Sequence, residues 1–168
     1  MLKKLMLAVA VMLPMLASAQ TLKIGLVDFQ GVLQAMPETT EALKRIDDVS
    51  KRYQDEYSKL GEEMQRKYEE FQNMGENELP AIRERKAREL SDYQQKIQQF
   101  ATDADQSLQK MQADEMAPIV TKVRNAIESV GREGNYSLIQ MLDPQLVLFQ
   151  QSPVEDITPA VKAKLGLQ

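Results

Sequence analysis

The chain has 168 residues, 27% of them charged and only 5% aromatic, with a net charge of −4 and no cysteine, histidine or tryptophan. That composition excludes disulfides, a thiol nucleophile, a lipid-anchored cysteine, the Ser-His-Asp and Cys-His chemistries and most transition-metal sites. It also lacks the basic footprint of a nucleic-acid binder and suits long solvated helices better than one thick core.

The first segment, MLKKLMLAVAVMLPMLASAQ, has the three parts of an export signal. Lys3 and Lys4 form the positive end, Leu5 to Leu16 the apolar middle and Ala17-Ser18-Ala19 the small-residue cleavage site. The apolar run is short of the ~20 residues that span a bilayer, and Pro14 interrupts it. Residues 1–19 are therefore expected to be cleaved after Ala19. The mature chain would be periplasmic if the source has an outer membrane.

Ile24 to Phe29 is apolar almost throughout and reads as a buried strand. Gly31 to Met36 allows one or two helical turns, and Pro37 favours a boundary at Met36. Thr39 or Thr40 is expected to cap the next helix, with Glu41 in its first turn. Leu43, Ile46, Ser50, Tyr53, Tyr57, Leu60, Met64, Lys67, Phe71 and Met74 then recur at alternating steps of three and four. That spacing predicts a coiled-coil seam on a helix of roughly 35 residues.

Gly75 to Pro80 reads as a tight reversal, and the spacing predicts a second helix from Ala81 to Val130. Pro118 lies inside that pattern and is expected to kink or break the helix. Gly131 or Gly134 is available for a left-handed cap. Two strand-like runs follow, Tyr136 to Leu142 and Leu146 to Phe149, separated by a turn at Asp143-Pro144. A short last helix, Ala160 to Leu165, has Thr158 as its expected cap.

No catalytic, metal-binding or cofactor-binding residue is expected, and the chain does not read as an enzyme. Neither GxGxxG nor GxxxxGK[ST] occurs. Gly131-Arg-Glu-Gly134 has the shape of a nucleic-acid clamp but fits a helix end better. Adjacent carboxylates such as Asp47/Asp48 and Glu62/Glu63 point in different directions on a helix and cannot share a proton or an ion. Asn135-Tyr136-Ser137 matches a glycosylation sequon at a strand start, and it reads as chance.

What remains is architecture. The fold class is mainly α with a small β body, and a long antiparallel helical hairpin is inserted between N- and C-terminal strands. The body is expected to take residues 20–37 and 119–168, and the arm residues 38–118 with its tip near 74–80. A strand this short in a chain this thin needs further partners, which points to assembly of several copies. Ile24, Leu26, Val27, Phe29, Leu138, Ile139, Leu146, Val147, Leu148 and Phe149 are the residues expected to build the assembled body. Tyr68 and Met74, near the tip, are the candidate residues for a soft, adaptable contact surface.

Two stretches, KIGLVDFQGVLQAMPE and YSLIQMLDPQLVLFQQSPVEDITPAVKAKL, resemble the Skp/OmpH family of periplasmic chaperones. The resemblance covers essentially the whole mature chain. It implies a homotrimer shaped like a jellyfish, with three helical arms around a cavity that holds unfolded outer-membrane proteins without ATP. Well-known members have strongly basic arm tips. Here Lys59 to Glu89 holds seven basic and eight acidic residues, so contact with lipopolysaccharide or a membrane surface is not carried over. The competing reading is a structural coiled-coil or adaptor protein of the envelope that binds one folded partner.

Overall fold

The structure is a computed structural model that describes residues 22–75, 78–143, 145, 147, 149–151 and 153–167. The expected export signal, Leu146, Leu148 and the middle of the hairpin tip lie outside the described residues. In chain order the elements are β1 (Ile24–Val27), α1 (Phe29–Ala35), α2 (Pro37–Gln72), α3 (Pro80–Glu133), β2 (Leu138–Met141), β3 (Val154–Asp156) and α4 (Thr158–Lys164). Helices dominate, and a three-stranded sheet joins the two chain ends. The chain divides into two compact units, one holding the residues up to Val32 and from Val123 onward, the other Leu33–Lys122.

In the first unit, β1 is the central strand of the order β2-β1-β3, and both pairings are parallel. Ile24 to Val27 align with Leu138 to Met141 on one side. Ile24 to Leu26 align with Val154 to Asp156 on the other. The second expected strand is corrected here: Val147 and Phe149 lie in no strand, and Val154–Asp156 takes β1's other edge. The reason is directional. A parallel pair needs a return path before the chain can run alongside again. Residues 142–153 are that path. Asp143 turns it, accepting hydrogen bonds from the N–H of Gln145 on its side chain and from that of Val147 on its carbonyl, both at 2.8 Å.

The core of this unit contains Leu26, Val27, Val32, Val123, Ala126, Val130, Ile157 and Val161. Two glycines serve close approach. A methyl at Gly131 would meet Ile139 Cδ1 at 2.9 Å, and one at Gly134 would collide with the Tyr136 ring. Neither glycine is the left-handed cap: that conformation belongs to Asn135, at φ 52°. Asparagine tolerates it because its short polar side chain suits a turn. The last helix also differs from expectation. It starts at Thr158 itself, whose N–H is capped by Asp156 Oδ1 at 2.9 Å.

In the second unit, α2 and the α3 residues up to Lys122 pair antiparallel. Arg45 meets Glu115, Tyr53 meets Phe100 and Lys86 meets Glu70. At 36 residues α2 is about 54 Å long. Pro37 occupies its first turn and Met36 its N-cap, with no side-chain cap. Thr39 caps nothing, since it sits inside the first turn with its hydroxyl buried and unpartnered.

The seam is shifted from the expected one near the start of α2. Ala42 is fully buried and Leu43 is 52% exposed; further along, Tyr57 is 50% exposed and Leu60 is buried. A small residue facing the partner helix lets the backbones approach, and the larger Leu43 is left on the flank. Pro118 does not break α3, which runs unbroken through it. The proline and the carbonyl its missing N–H would have bonded, that of Asp114, both lie on exposed residues where water can serve.

Candidate functional site

The arm unit carries its apolar exposure beside the seam rather than in it. Leu43, Ser50 and Tyr57 are spaced by sevens and therefore share one stripe of α2. Ser50, Tyr53, Gln54 and Tyr57 face Phe100, Ala101, Ala104 and Leu108 across a groove of about 290 Å³. Tyr53 and Phe100 make its floor, edge to face with centroids 5.9 Å apart. Of the two expected contacts, Tyr68 is 46% exposed and Met74 half-buried. The spacing puts Leu43 and Tyr57 in the seam, but both flank it, and near the start of α2 the buried Ala42 takes the seam position one residue earlier.

Nearer the tip, the packing is mixed. The hydroxyl of Tyr93 is buried, and burial first and the neighbouring Glu63 carboxylate second push its pKa up. The ammonium groups of Lys67 and Lys96 lie over its ring at 5.3 and 5.4 Å. That accounts for Lys67 on the seam: its stem packs while its charge meets the ring face and Glu63 at 3.7 Å. Arg83 lies 6.0 Å from the Phe71 ring and donates to the Met74 carbonyl at 3.3 Å.

The body unit places the expected assembly residues in three environments. Leu26 and Val27 are core residues of the single chain. Ile24, Phe29, Ile139 and Val147 are half-buried. Leu138 is exposed, and Phe149 is 81% exposed. Leu22 and Met141, which the sequence did not single out, are also exposed. A parallel sheet usually buries both faces, and here the apolar Leu138 and Met141 of β2 stand open on a single copy.

One polar cluster ties the three strands together. The Tyr136 hydroxyl donates to Glu155 Oε2 at 2.5 Å, and Lys23 pairs with the same oxygen at 3.3 Å while lying 4.1 Å from the Tyr136 ring centre. Tyr136 and then Lys23 hold the Glu155 carboxyl below its ordinary range. These three residues precede β1, precede β2 and sit in β3. Among the described residues no group of acidic side chains could hold a metal ion, and no helix is long and apolar enough to cross a membrane.

With this geometry in hand, residues 23–165 match the model of the family described as outer membrane protein (OmpH-like). The chain belongs to that family. It is also similar to a protein of Yersinia enterocolitica named chaperone protein Skp, with 24% identity over 145 residues, covering 86% of this chain and 87% of the relative. The match takes in both strand-bearing ends and the whole hairpin, so the resemblance seen in the two end signatures extends through the arm.

Proposed function

We propose that the protein is an ATP-independent periplasmic holdase. It binds unfolded outer-membrane proteins between helical arms and keeps them from aggregating. The observation that carries this reading is the apolar surface left open on an otherwise charged arm: Leu43, Tyr57, Tyr68 and the groove lined by Tyr53, Phe100 and Leu108. Membership of the family and the name of the Yersinia relative support it. An unfolded barrel protein exposes apolar strands that aggregate. Many weak contacts along several arms shield such a chain without imposing one geometry.

Assembly follows from the same physics. Three copies pool residues 20–37 and 119–168 into one body and cover Leu138, Met141 and Phe149, while residues 38–118 project as arms. The chain reaches its compartment by a signal cleaved after Ala19. It performs no covalent chemistry, and release needs only the more stable folded barrel as a destination.

The test is light scattering. Several unrelated barrel proteins are diluted from urea with and without the protein, in the absence of nucleotide. Suppression of aggregation for all of them at stoichiometric levels is expected. Failure with every unfolded chain, together with capture of one native partner, would replace the holdase with an adaptor.

A further inference from the structure

Two ion pairs join α2 to α3 at the base of the arm unit. Arg45 meets Glu115 with a forked contact, at 2.6 Å from Nη2 and 3.2 Å from Nε, and Lys122 meets Glu38. Their arrangement carries more than their individual strength. Arg45 lies seven residues after Glu38, and Glu115 lies seven residues before Lys122. The two pairs are therefore one heptad apart on both helices, and the signs alternate: acid then base on α2, acid then base on α3.

We propose that these four side chains set the register of the hairpin by penalising slippage. Sliding the helices by one heptad in one direction brings Glu38 opposite Glu115. Sliding them in the other brings Arg45 opposite Lys122. Either slip loses both attractions and places like charges together, which is how flanking charges select register in coiled coils.

The apolar seam cannot do this alone. Around the base its buried residues include the small Ala42 and Thr39 beside the larger Ile119. Further along it carries Lys67 and half-buried Met64, an adaptable filler that packs in more than one way. Small and pliable residues at these positions discriminate weakly between registers one heptad apart. Glu41, 4.0 Å from Arg45, adds to the negative partner of that arginine but has no counterpart on α3.

The pattern can be separated from the pairs. Exchanging one pair, Glu38→Lys with Lys122→Glu, keeps both attractions in the native register. It leaves two bases on α2 and two acids on α3, so each slipped register now also pairs opposite charges. Exchanging the second pair as well, Arg45→Glu with Glu115→Arg, restores alternation. The chain has no native cysteine, so Gln65→Cys and Gln112→Cys can carry spin labels at axially offset exposed positions. Dilution with unlabelled protein restricts the measurement to distances within one chain.

The native sequence and the full exchange are expected to show one distance. The single exchange should add a second population displaced by about 10 Å, seven residues of helix rise. A single native distance in all three would overturn the proposal. Loss of helicity in both exchanged proteins would also overturn it, because the identities of the residues and not their alternation would then matter. Loss in the single exchange alone, with the full exchange intact, supports it.

Discussion

The hydroxyl of Thr158 accepts a hydrogen bond from the backbone N–H of Asp28 at 2.8 Å, joining positions 130 residues apart. The bond is one of a set. Asp28 Oδ1 accepts from the Gly31 N–H at 2.8 Å, starting α1, and the Ile157 N–H reaches the Leu26 carbonyl at 2.8 Å. The end of β1 and the start of α4 are thus fixed to each other, and Asp156 orients Thr158 from behind. Thr158→Val keeps the shape but leaves the Asp28 donor unpaired in a part-buried site. A loss of about 1–3 kcal/mol in urea unfolding is expected, with Thr158→Ser close to wild type. Equal stability of the valine and serine variants would show that the bond is dispensable.

Gly134 and Gly131 are separable by substitution. Alanine at Gly134 collides with the Tyr136 ring, which must move and release its hydrogen bond to Glu155. Overpacking of this kind costs about 1–3 kcal/mol. Alanine at Gly131 meets only Cδ1, the tip of the flexible Ile139 side chain, and gains helix propensity. Thermal unfolding of the two variants should therefore differ clearly, with Gly131→Ala near wild type and Gly134→Ala well below it.

Acid should loosen the base of the arm. Arg45 holds the Glu115 carboxyl, and Lys122 the Glu38 carboxyl, below the ordinary value of 4.5. A carboxyl with a depressed folded pKa adds stability that is present in full above its unfolded value. That stability is lost as pH falls through the lower folded value. Wild type should therefore melt above Glu115→Gln at pH 7, and the gap should close as pH drops below about 4. A gap that stays constant down to pH 3 would mean that the pair contributes nothing through its charge.

Phe149 offers a test of the proposed assembly that leaves the single chain folded. It is 81% exposed, in no strand, and so contributes little to the packing of a single copy. Phe149→Asp should leave the circular dichroism spectrum unchanged and shift sedimentation toward smaller species at low micromolar concentration. Unchanged sedimentation would place Phe149 outside the assembly surface. Leu26→Asp is a different experiment, because Leu26 is buried within one chain and its loss disrupts the body itself.

The sequence made much of this architecture legible. Ile24–Phe29 and Tyr136–Leu142 stood out as apolar runs, of which β1 takes only Ile24–Val27, with Phe29 opening α1, and β2 only Leu138–Met141; the two long helices followed from their period. β3 did not stand out because Val154-Glu155-Asp156 is three residues long and two-thirds acidic. Its place is set by the free edge of β1. Leu146 to Phe149 carries strand composition in a segment that the direction of the sheet requires as a connection. The seam was displaced at its base because hydrophobicity ranks Leu43 above Ala42, whereas close helix packing ranks them the other way. The Tyr53–Phe100 floor of the groove and the Arg45–Glu115 and Glu38–Lys122 pairs join residues 47 to 84 positions apart, so they emerge only when the helices are laid together.

In the proposed assembly, three copies together hold one unfolded chain. Native mass spectrometry of the protein mixed with a urea-unfolded barrel protein, without nucleotide, measures this directly. A complex with the mass of three mature chains plus one client is expected. A monomer or dimer that binds no unfolded chain would contradict it.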